Sequence, residues 1–423
     1  MPTQTNSPRV LLHAFSTFTL GGPQARFVQL ANTFGPRYRH IIAAMDNCFD
    51  AGERLGPQVN WLPLPLPVQK GGALANRAAF RQVIQAQQPD LLLSYNWGAI
   101  EWAAANWPQV VPHVHVEDGF SAAEATRQLP RRAWTRRVLL GWAGKPVVVI
   151  SHNLQRIATQ VWKLPERQVM FIPNGVAIPE LYIQKRALAQ VNQAQITIGT
   201  VAGLRPEKNI ARLIKAFAAV RARQSARLLV VGGGPELPAL QALATQLGVA
   251  ADVEFAGYLA DPISRLIEFD LFALSSDTEQ LPIAMLEAMA CGIPVVATRV
   301  GDVAHIMPGV AQSALADATD AAFTATLLGA IDQRSAWPQW VAAGQRMMKA
   351  YRHRKRSVAI HGARGMDCFA VLAMTTGCHA PWLVMPVPGS AARLLPKPSP
   401  HLTSNQTWPE PLSVGGYRFR HPG

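Results

Sequence analysis

The stretch LFALSSDTEQLPIAMLEAMACGIPVVAT, residues 271–298, reads as a strand, a loop, a helix and a second strand. Leu271–Leu274 and Pro294–Thr298 are short apolar runs of the kind that form buried parallel strands. Between them, Pro282 suits the first turn of a helix and Gly292 ends it. The stretch therefore predicts one strand–helix–strand unit of a parallel α/β sheet.

The same alternation extends through most of the chain. Further strands are predicted at Arg9–Ala14, Ile41–Ala44, Asp90–Ser94, Val147–Ser151, Ile196–Thr200, Leu228–Gly232 and Val253–Ala256, and amphipathic helices at Ile210–Arg223 and Leu237–Leu247. A weak linker at residues 184–195 separates two such series. We expect two doubly wound α/β domains, residues 1–183 and 184–351, that face each other across a cleft and bind ligands at strand ends.

Composition excludes several other classes. The 423 residues are 49% hydrophobic and 16% charged, unlike a disordered or coiled-coil protein. No apolar run reaches the ~20 residues that a membrane-spanning helix needs. The four cysteines form no C-x-x-C pair, which argues against a zinc ribbon. We expect a soluble, cytoplasmic protein.

Charge is concentrated at the C-terminus. The net charge is +14, and the 72 residues from Arg352 hold nine Lys and Arg against two acids. This tail also has nine prolines, and we expect it to be poorly ordered. Composition changes abruptly within one expected helix, residues 337–351, as out-of-frame translation would produce. The body, residues 1–351, is only mildly basic, so no nucleic-acid partner is predicted.

A local basic run surrounds Trp134 and contains Arg127, Arg131, Arg132, Arg136 and Arg137. A solvated helix face is the ordinary interpretation. The alternative is peripheral contact with anionic lipid on the inner face of a membrane.

Two carboxylates mark the opening stretch. Glu279 lies just before the predicted helix, and Glu287 is the only charged residue on it. A buried carboxylate is costly unless it is paired, and the two hydroxyl groups of a ribose would pair it. The alternative is an internal polar contact. The N-terminus of the helix suits a ligand oxygen or phosphate.

Two cations follow the first strand of the second domain. Arg205 and Lys208 are three residues apart, and a turn at Pro206 brings both near the strand end. Paired cations there suit a diphosphate, although such side chains are more often solvated. Gly232–Gly234 follow the next strand, where glycines allow close approach of a ligand or form a plain tight turn.

In the first domain, Gly21 and Gly22 precede a helix and suit a phosphate or a sugar. The G-x-G-x-x-G spacing is missing, so a dinucleotide site with Asp46 as its acid is disfavoured. The segment His113–Phe120 is expected to follow a strand. Its His115 and Asp118 could transfer a proton or bind a sugar, and with His113 they could bind a metal.

Together these motifs resemble the family 4 glycosyltransferases, which are retaining enzymes of the GT-B type, over about residues 9–351. The resemblance rests on Gly203–Arg205–Lys208, on Gly232–Pro235 and on Glu279-x7-Glu287 with the CGIPVVAT that follows it. Ile172–Val176 is similar to the family's interdomain segment. Gln280 and Leu281 depart from the family pattern, which often has a small or aromatic residue and Gly there.

The resemblance implies two Rossmann-like domains, with a nucleotide-sugar donor held mainly by the second. Arg205 and Lys208 would bind the donor diphosphate, and Glu287 the ribose. Glu279, supported by the backbone near Gln280 and Leu281, would contact hydroxyl groups of the transferred sugar. The other implied donor-binding positions are Gly21, Gly22, Gly203, Gly233 and Gly234. Either Asp118 or His115 would lie beside the reacting sugar.

The implied reaction is hexosyl transfer with retention, without a metal or other cofactor, from a UDP-sugar in preference to a GDP-sugar. A cell-surface glycan or a lipid-linked molecule would accept the sugar, as in polysaccharide or lipopolysaccharide biosynthesis. An inactive nucleotide-sugar binder, the product of a disrupted gene and a nucleotide-sugar epimerase stay open as alternatives.

Overall fold

The computed structural model of the chain describes residues 8–67, 73–120, 124, 128–176, 178–188 and 195–361. Within these residues two parallel sheets are present, one in residues 9–171 and one in residues 196–316. We call residues 8–178 the first half and residues 195–361 the second half. The two sheets confirm the predicted pair of doubly wound layers.

The first sheet contains β1 (Arg9–Phe15), β2 (Tyr38–Ala44), β3 (Asn60–Leu64), β4 (Leu91–Tyr95), β5 (His113–Glu117), β6 (Val147–Val149) and β7 (Val169–Phe171). Their connections contain α1 (Gly22–Phe34), α2 (Ala73–Gln87), α3 (Ile100–Ala105), α4 (Pro130–Arg136), continued by a π-helical turn (Arg137–Trp142), and α5 (His152–Arg156). The order β3-β2-β1-β4-β5-β6-β7 reverses between β1 and β4. Ligands of such sheets bind beside this reversal, at the carboxyl ends of the strands.

The second sheet contains β8 (Ile196–Val201), β9 (Ala226–Val231), β10 (Val253–Gly257), β11 (Leu271–Leu274), β12 (Val295–Thr298) and β13 (Leu315–Ala316). Its helices are α7 (Ile210–Arg221), α8 (Leu237–Gln246), α9 (Ile263–Leu266), α10 (Ile283–Ala290), α11 (Val303–Ile306) and α12 (Asp320–Asp332), and α6 (Glu180–Leu188) precedes it. The order β10-β9-β8-β11-β12-β13 reverses between β8 and β11.

Three strands of the first sheet, β3, β5 and β7, were not predicted from the sequence. β3 is an edge strand with mostly exposed side chains, and an edge tolerates its Pro63. The expectation that His113–Phe120 follows a strand is wrong, because His113–Glu117 is itself β5. All five of its residues are buried, although three carry ionisable side chains.

The helices agree with the predictions within a few residues. α10 begins at Ile283, so Pro282 lies at the N-cap position and not in the first turn. Gly292 has a φ of 77° and ends the helix, as expected. The predicted boundary between residues 183 and 184 falls inside α6.

The last described helix is α13 (Trp337–His361). It continues ten residues past the boundary predicted at residue 351. The rest of the proline-rich tail, residues 362–423, lies outside the described residues. In the part of the chain that the structure covers, no helix combines the length and the apolar character needed to cross a bilayer.

One cluster of buried apolar side chains runs through both halves. It includes Leu140, Val149 and Trp162 of the first half and Ile198, Leu213 and Met285 of the second. Burial of a continuous apolar surface of this kind stabilises the contact between the halves.

Candidate active site

Two predicted residues meet where the second sheet reverses its order. Lys208 follows β8 and Glu279 follows β11, and pairing of these strands brings the Lys208 Nζ to 2.7 Å from the Glu279 Oε1. Ser276 Oγ donates to the same carboxylate oxygen at 2.8 Å. A cation and a carboxylate therefore lie side by side at the edge where ligands of such sheets bind.

Arg205 lies at the rim of this edge. Its side chain is 54% exposed, and its Nε is 3.1 Å from the Glu207 Oε1. An exposed guanidinium held by one surface carboxylate can exchange that partner for a phosphate at little cost. Gly203, two residues earlier, would accommodate a Cβ with no contact shorter than the 3.5 Å to Arg205.

Two of the predicted glycines have a packing role. Gly232 has a φ of 138°, and a Cβ there would lie 1.9 Å from the Ala202 carbonyl oxygen. Gly234 has a φ of 158°, and a Cβ there would lie 2.4 Å from the Leu204 carbonyl oxygen. These glycines let the loops after β8 and β9 lie against each other. Donor contact by Gly203, Gly233 and Gly234 stays a prediction.

Glu287 lies on α10, within the second half. Among the described residues no hydrogen bond or ion pair engages its carboxylate. Burial raises the pKa of Glu287 to about 7, and the nearby Asp261 carboxylate adds to the rise. A half-buried carboxylate without a protein partner is suited to a ligand that carries hydroxyl groups.

In the first half, Gly21 and Gly22 form the N-terminus of α1. A Cβ on Gly22 would meet no atom within 4 Å, so open space faces this position. Arg26, one turn further along α1, is buried and lies 2.7 Å from the Asp118 carboxylate. Burial raises the pKa of Asp118, and the Arg26 charge opposes the rise. Asp118 directly follows β5.

The prediction that His115 contacts substrate is wrong. Its side chain is fully enclosed in β5, and both ring nitrogens have partners inside the protein. Nδ1 is 2.8 Å from the Ser94 Oγ, and Nε2 is 3.2 Å from a Glu117 carboxylate oxygen. Asp118 is therefore the member of the pair that can face a ligand.

The metal alternative for His113, His115 and Asp118 has no geometric support. His113 Nε2 is 2.7 Å from the same Ser94 Oγ that His115 contacts. Burial lowers the pKa of His113, and the Lys145 and His115 charges lower it further. Within the described residues, no three or more His, Cys, Asp and Glu side chains lie together as the ligands of a metal ion would.

The basic run is only in part the solvated face that its sequence predicts. Arg136 is fully buried and donates to Glu117 and Glu124, at 3.2 and 3.1 Å. Arg132 shares Glu124 at 3.1 Å. Burial raises the pKa of Glu117, but the Arg136 and His115 contacts outweigh it and hold the pKa below its ordinary value. Arg136 therefore cannot contact a membrane.

The other members of the run differ in exposure. Arg131 and Arg137 are exposed, as are Trp134 and Trp142, at 60% and 66%. Arg127 lies outside the described residues.

Direct hydrogen bonds join the two halves beside Glu279. Asn174 Nδ2 donates to the Leu281 carbonyl oxygen at 2.9 Å, and Arg26 Nη1 donates to the Asn174 Oδ1 at 3.4 Å. Asp302 accepts from the backbone N–H groups of His152 and Asn153 at the start of α5, at 2.7 and 3.1 Å.

Sequence reasoning missed the residues that make this junction, namely Arg26, Ser151, Asn153 and Asp302. Of the residues at the junction, only Asn174 lies in a motif that the sequence analysis recognised, Ile172–Val176. The others carry no local pattern, because their partners lie about a hundred or more residues away.

Two family models match the chain, Glycosyltransferase Family 4 over residues 20–178 and Glycosyl transferases group 1 over residues 195–333. The chain belongs to the family 4 glycosyltransferases. The two matches correspond to the two sheets, so each half of this glycosyltransferase is of the family's type.

The chain is similar to two curated relatives over part of its length. N-acetyl-alpha-D-glucosaminyl L-malate synthase of Bacillus anthracis is 29% identical over 167 residues, which are 38% of this chain and 43% of that protein. GDP-mannose-dependent alpha-(1-6)-phosphatidylinositol monomannoside mannosyltransferase of Mycolicibacterium smegmatis is 28% identical over 272 residues, 55% of this chain and 71% of that protein. The chain thus spans less than half the length of the first relative.

The fold also has solved counterparts. The crystal structure of Anabaena HepE in complex with UDP and glucose superposes with a TM-score of 0.69 at 18% identity, over 84% of this chain and 99% of that one. This likeness confirms the GT-B fold, with two Rossmann-like domains facing across a cleft.

Proposed function

We propose that this family 4 glycosyltransferase moves a hexosyl group from a nucleotide sugar to a cell-surface glycan or lipid-linked acceptor, with retention at the anomeric carbon. UDP is the proposed nucleotide, in preference to GDP. The HepE structure named above contains UDP, whereas the Mycolicibacterium smegmatis relative is GDP-mannose-dependent. The proposed setting is polysaccharide or lipopolysaccharide biosynthesis.

The observation that carries the proposal is the contact between Lys208 and Glu279 at the reversal of the second sheet. A phosphate needs a cation, and sugar hydroxyl groups need acceptors. These two side chains offer both within one hydrogen-bond length, at the strand edge where ligands of such sheets bind. The unpaired carboxylate of Glu287 would accept from the two ribose hydroxyl groups.

In the proposed reaction the bond from the anomeric carbon to the leaving phosphate oxygen breaks. A bond to the acceptor oxygen forms on the same face of the sugar. The acceptor proton passes to an oxygen of the leaving diphosphate, so the reaction needs no protein nucleophile, metal or other cofactor. Lys208 and Arg205 stabilise the charge that develops on the diphosphate. Asp118, held by Arg26, would lie against the reacting sugar.

Calorimetric titration of the full-length chain with UDP, and separately with GDP, tests the site. We expect saturable binding of UDP that is lost in Glu287→Ala. Glu254→Ala, which removes an exposed carboxylate from β10, should bind like the wild type. Binding of GDP alone would correct the nucleotide, and binding of neither would contradict the proposal.

We further propose peripheral contact with anionic lipid at the inner face of a membrane, through Arg131, Trp134, Arg137 and Trp142. The exposed positions 131, 134 and 142 and the half-buried position 138 recur at helical spacing, and exposed indoles are typical of surfaces that lie at the headgroup level. Two cations among them would attract anionic headgroups.

Sedimentation with vesicles tests this contact. The chain should pellet at low salt with phosphatidylglycerol-containing vesicles and remain in the supernatant with phosphatidylcholine alone. The double variant Trp134→Ala and Trp142→Ala should lose the binding. Failure of the wild type to pellet with anionic vesicles would contradict the contact.

A further inference from the structure

Arg26 lies on α1 of the first half and contacts Asp118, the residue that follows β5. Its Nη1 is 2.7 Å from one Asp118 carboxylate oxygen, and its Nη2 donates to the other at 3.2 Å. The two side chains are only 7% and 6% exposed. A guanidinium that binds both oxygens of a carboxylate fixes the plane of that carboxylate as well as its distance. Arg26 therefore determines which way the Asp118 carboxylate points.

The charges around Asp118 also make its ionisation depend on Arg26. Burial raises the pKa of Asp118 and Arg26 lowers it, while on β5 Glu117 raises this pKa and His115 lowers it. The Tyr95 hydroxyl, on β4, is the remaining titratable group that interacts with this carboxylate. Among the described residues, no second cation forms an ion pair with Asp118. Without Arg26, the carboxyl group would stay protonated to a higher pH.

Arg26 is also linked to the second half of the molecule, through Asn174. Nη1 carries two hydrogens, so besides Asp118 it donates to the Asn174 Oδ1 at 3.4 Å. The Asn174 Nδ2 donates in turn to the Leu281 carbonyl oxygen at 2.9 Å. Because a guanidinium only donates and a carbonyl only accepts, one orientation of the Asn174 amide serves both. A series of hydrogen bonds thus runs from Asp118 to the loop of the second half that carries Glu279.

The junction between the halves does not depend on Asn174. The Asp302 carboxylate accepts from the backbone at the start of α5, and the Gln280 Oε1 accepts from the Ser151 Oγ at 2.9 Å. The apolar cluster that runs through both halves adds to this contact. Removal of the Asn174 side chain should therefore leave the halves together and interrupt only the link to Arg26.

We propose that Arg26 is a positioning residue that holds the Asp118 carboxylate towards the transferred sugar, and that Asn174 makes this positioning depend on the second half. An ionised carboxylate accepts from sugar hydroxyl groups through both oxygens, and protonation removes part of that capacity. The inference rests on the proposed function, which puts the transferred sugar beside Asp118. Arg26 itself contacts neither the sugar nor the nucleotide.

Carbon-13 NMR of the full-length chain, labelled at the aspartate carboxyl carbons, measures the titration of Asp118, and Asp118→Asn assigns its signal. Arg26→Gln keeps a donor and removes the charge, so the midpoint of this titration should move up by about one pH unit or more. Arg26→Lys keeps the charge and should return the midpoint towards that of the wild type. Arg39→Gln, exposed near the start of β2 and so at the opposite edge of the sheet, should leave it unchanged.

Calorimetric titration with UDP, UDP-glucose, GDP and GDP-mannose tests the positioning role. In Arg26→Gln we expect the Kd for the nucleotide sugar to rise about tenfold, as for the loss of one hydrogen bond to a charged group. The Kd for the free nucleotide should stay as in the wild type. Arg26→Lys cannot bind both carboxylate oxygens in the same way, so its nucleotide-sugar Kd should still rise several-fold. Arg39→Gln should alter neither Kd.

Asn174→Ala tests the link to the second half. It should weaken nucleotide-sugar binding several-fold and leave the Kd for the free nucleotide unchanged. Combined with Arg26→Gln it should add nothing, because both changes act through the same carboxylate. A purely structural role of Asn174 would instead weaken both ligands, or would add to the effect of Arg26→Gln.

An Asp118 titration that Arg26→Gln leaves unmoved would overturn the inference, as would an unchanged affinity for the nucleotide sugar. If Arg26→Gln does not fold, wild-type nucleotide-sugar affinity in Arg26→Lys would overturn it equally. Wild-type affinity in Asn174→Ala would overturn the dependence on the second half. A wild-type chain that binds neither UDP nor GDP would refute the proposed function and the positioning role with it, whereas the NMR titration would still show whether Arg26 holds Asp118.

Discussion

The fifth strand in the order of each sheet illustrates how differently the two halves use polar side chains. In the first half this strand is β5, which carries His113, His115 and Glu117 into the interior. In the second half it is β12, whose sequence is Val-Val-Ala-Thr. Both strands are buried throughout. At this place in the strand order, the first sheet therefore carries ionisable side chains, whereas the second sheet carries mostly apolar side chains.

The partners of these groups show what the difference means. In the first half His115, Glu117, Arg136 and Glu124 bind one another. Their hydrogen-bonding capacity is used inside the protein, and they hold the end of β5 from which Asp118 emerges. In the second half Lys208 and Glu279 lie at strand ends, and Glu287 has no protein partner in the described residues. The side chains that are available to bind a ligand are therefore concentrated in the second half.

The largest expected effect would break the network of the first half. Arg136→Met leaves Glu117 buried without a cation and Glu124 with Arg132 alone, which should lower the free energy of unfolding by about 3–5 kcal/mol. Urea unfolding measures this loss. Arg131→Met, an exposed position on the same helix, should change it by less than about 0.5 kcal/mol. A loss below about 1 kcal/mol for Arg136→Met would show that the network is not a structural unit.

The next effect should appear in turnover and not in stability. Lys208→Ala removes a cation from the developing diphosphate charge, and we expect a loss of about a hundredfold or more in sugar transfer. The unfolding temperature should change little, because Lys208 is partly exposed and makes a single ion pair. Lys215→Ala, at an exposed pair with Asp320, is the matched control. If Lys208→Ala transfers sugar as fast as the wild type, Lys208 is not part of the active site.

A smaller effect should appear in the pH dependence of the free energy of unfolding, and it concerns buried histidines of the first half. Burial lowers the pKa of His40, which lies next to His13 in the first half, to about 4. The unfolded chain, with an ordinary pKa near 6.5, then binds more protons than the folded chain between pH 6.5 and 4. Stability should be full above pH 6.5 and should fall by about 2 kcal/mol between pH 7 and pH 5 from His40 alone. Unfolding of the wild type and of His40→Gln, measured across this pH range, checks the prediction. The free energy of unfolding should change less with pH in the variant, and equal slopes would contradict the prediction.

The smallest effect concerns ligand affinity in the second half. Because the pKa of Glu287 is about 7, the ionised acceptor for ribose increases about tenfold from pH 6 to pH 8. UDP affinity should rise accordingly. Glu287→Gln removes this rise, and the difference between the two profiles cancels the titration of UDP itself. Parallel profiles would show that Glu287 is not the group responsible.

The apolar runs were enough to predict most of the strands, because a strand buried on both faces must be apolar whatever its neighbours are. The same reasoning failed for β5, whose polar side chains have buried partners on other elements, the Ser94 Oγ for the two histidines and Arg136 for Glu117. Arg136 was interpreted as a solvated or lipid-facing residue because the local sequence does not show its partners. Its carboxylate partners are 12 and 19 residues away, and no local pattern marks them.

By itself the sequence determined the parallel α/β sheets and the positions of Lys208, Glu279 and Glu287 near strand ends, since strand propensity and loop position are local properties of a chain. Only the tertiary structure decided that Lys208 and Glu279 are in contact, that His115 is enclosed and that Gln280 accepts hydrogen bonds from Ser151 and Asn153 of the first half. Those facts depend on the order of the strands and on the packing of the two halves. Contacts between residues 71 or 129 positions apart are set by that packing and not by the local sequence.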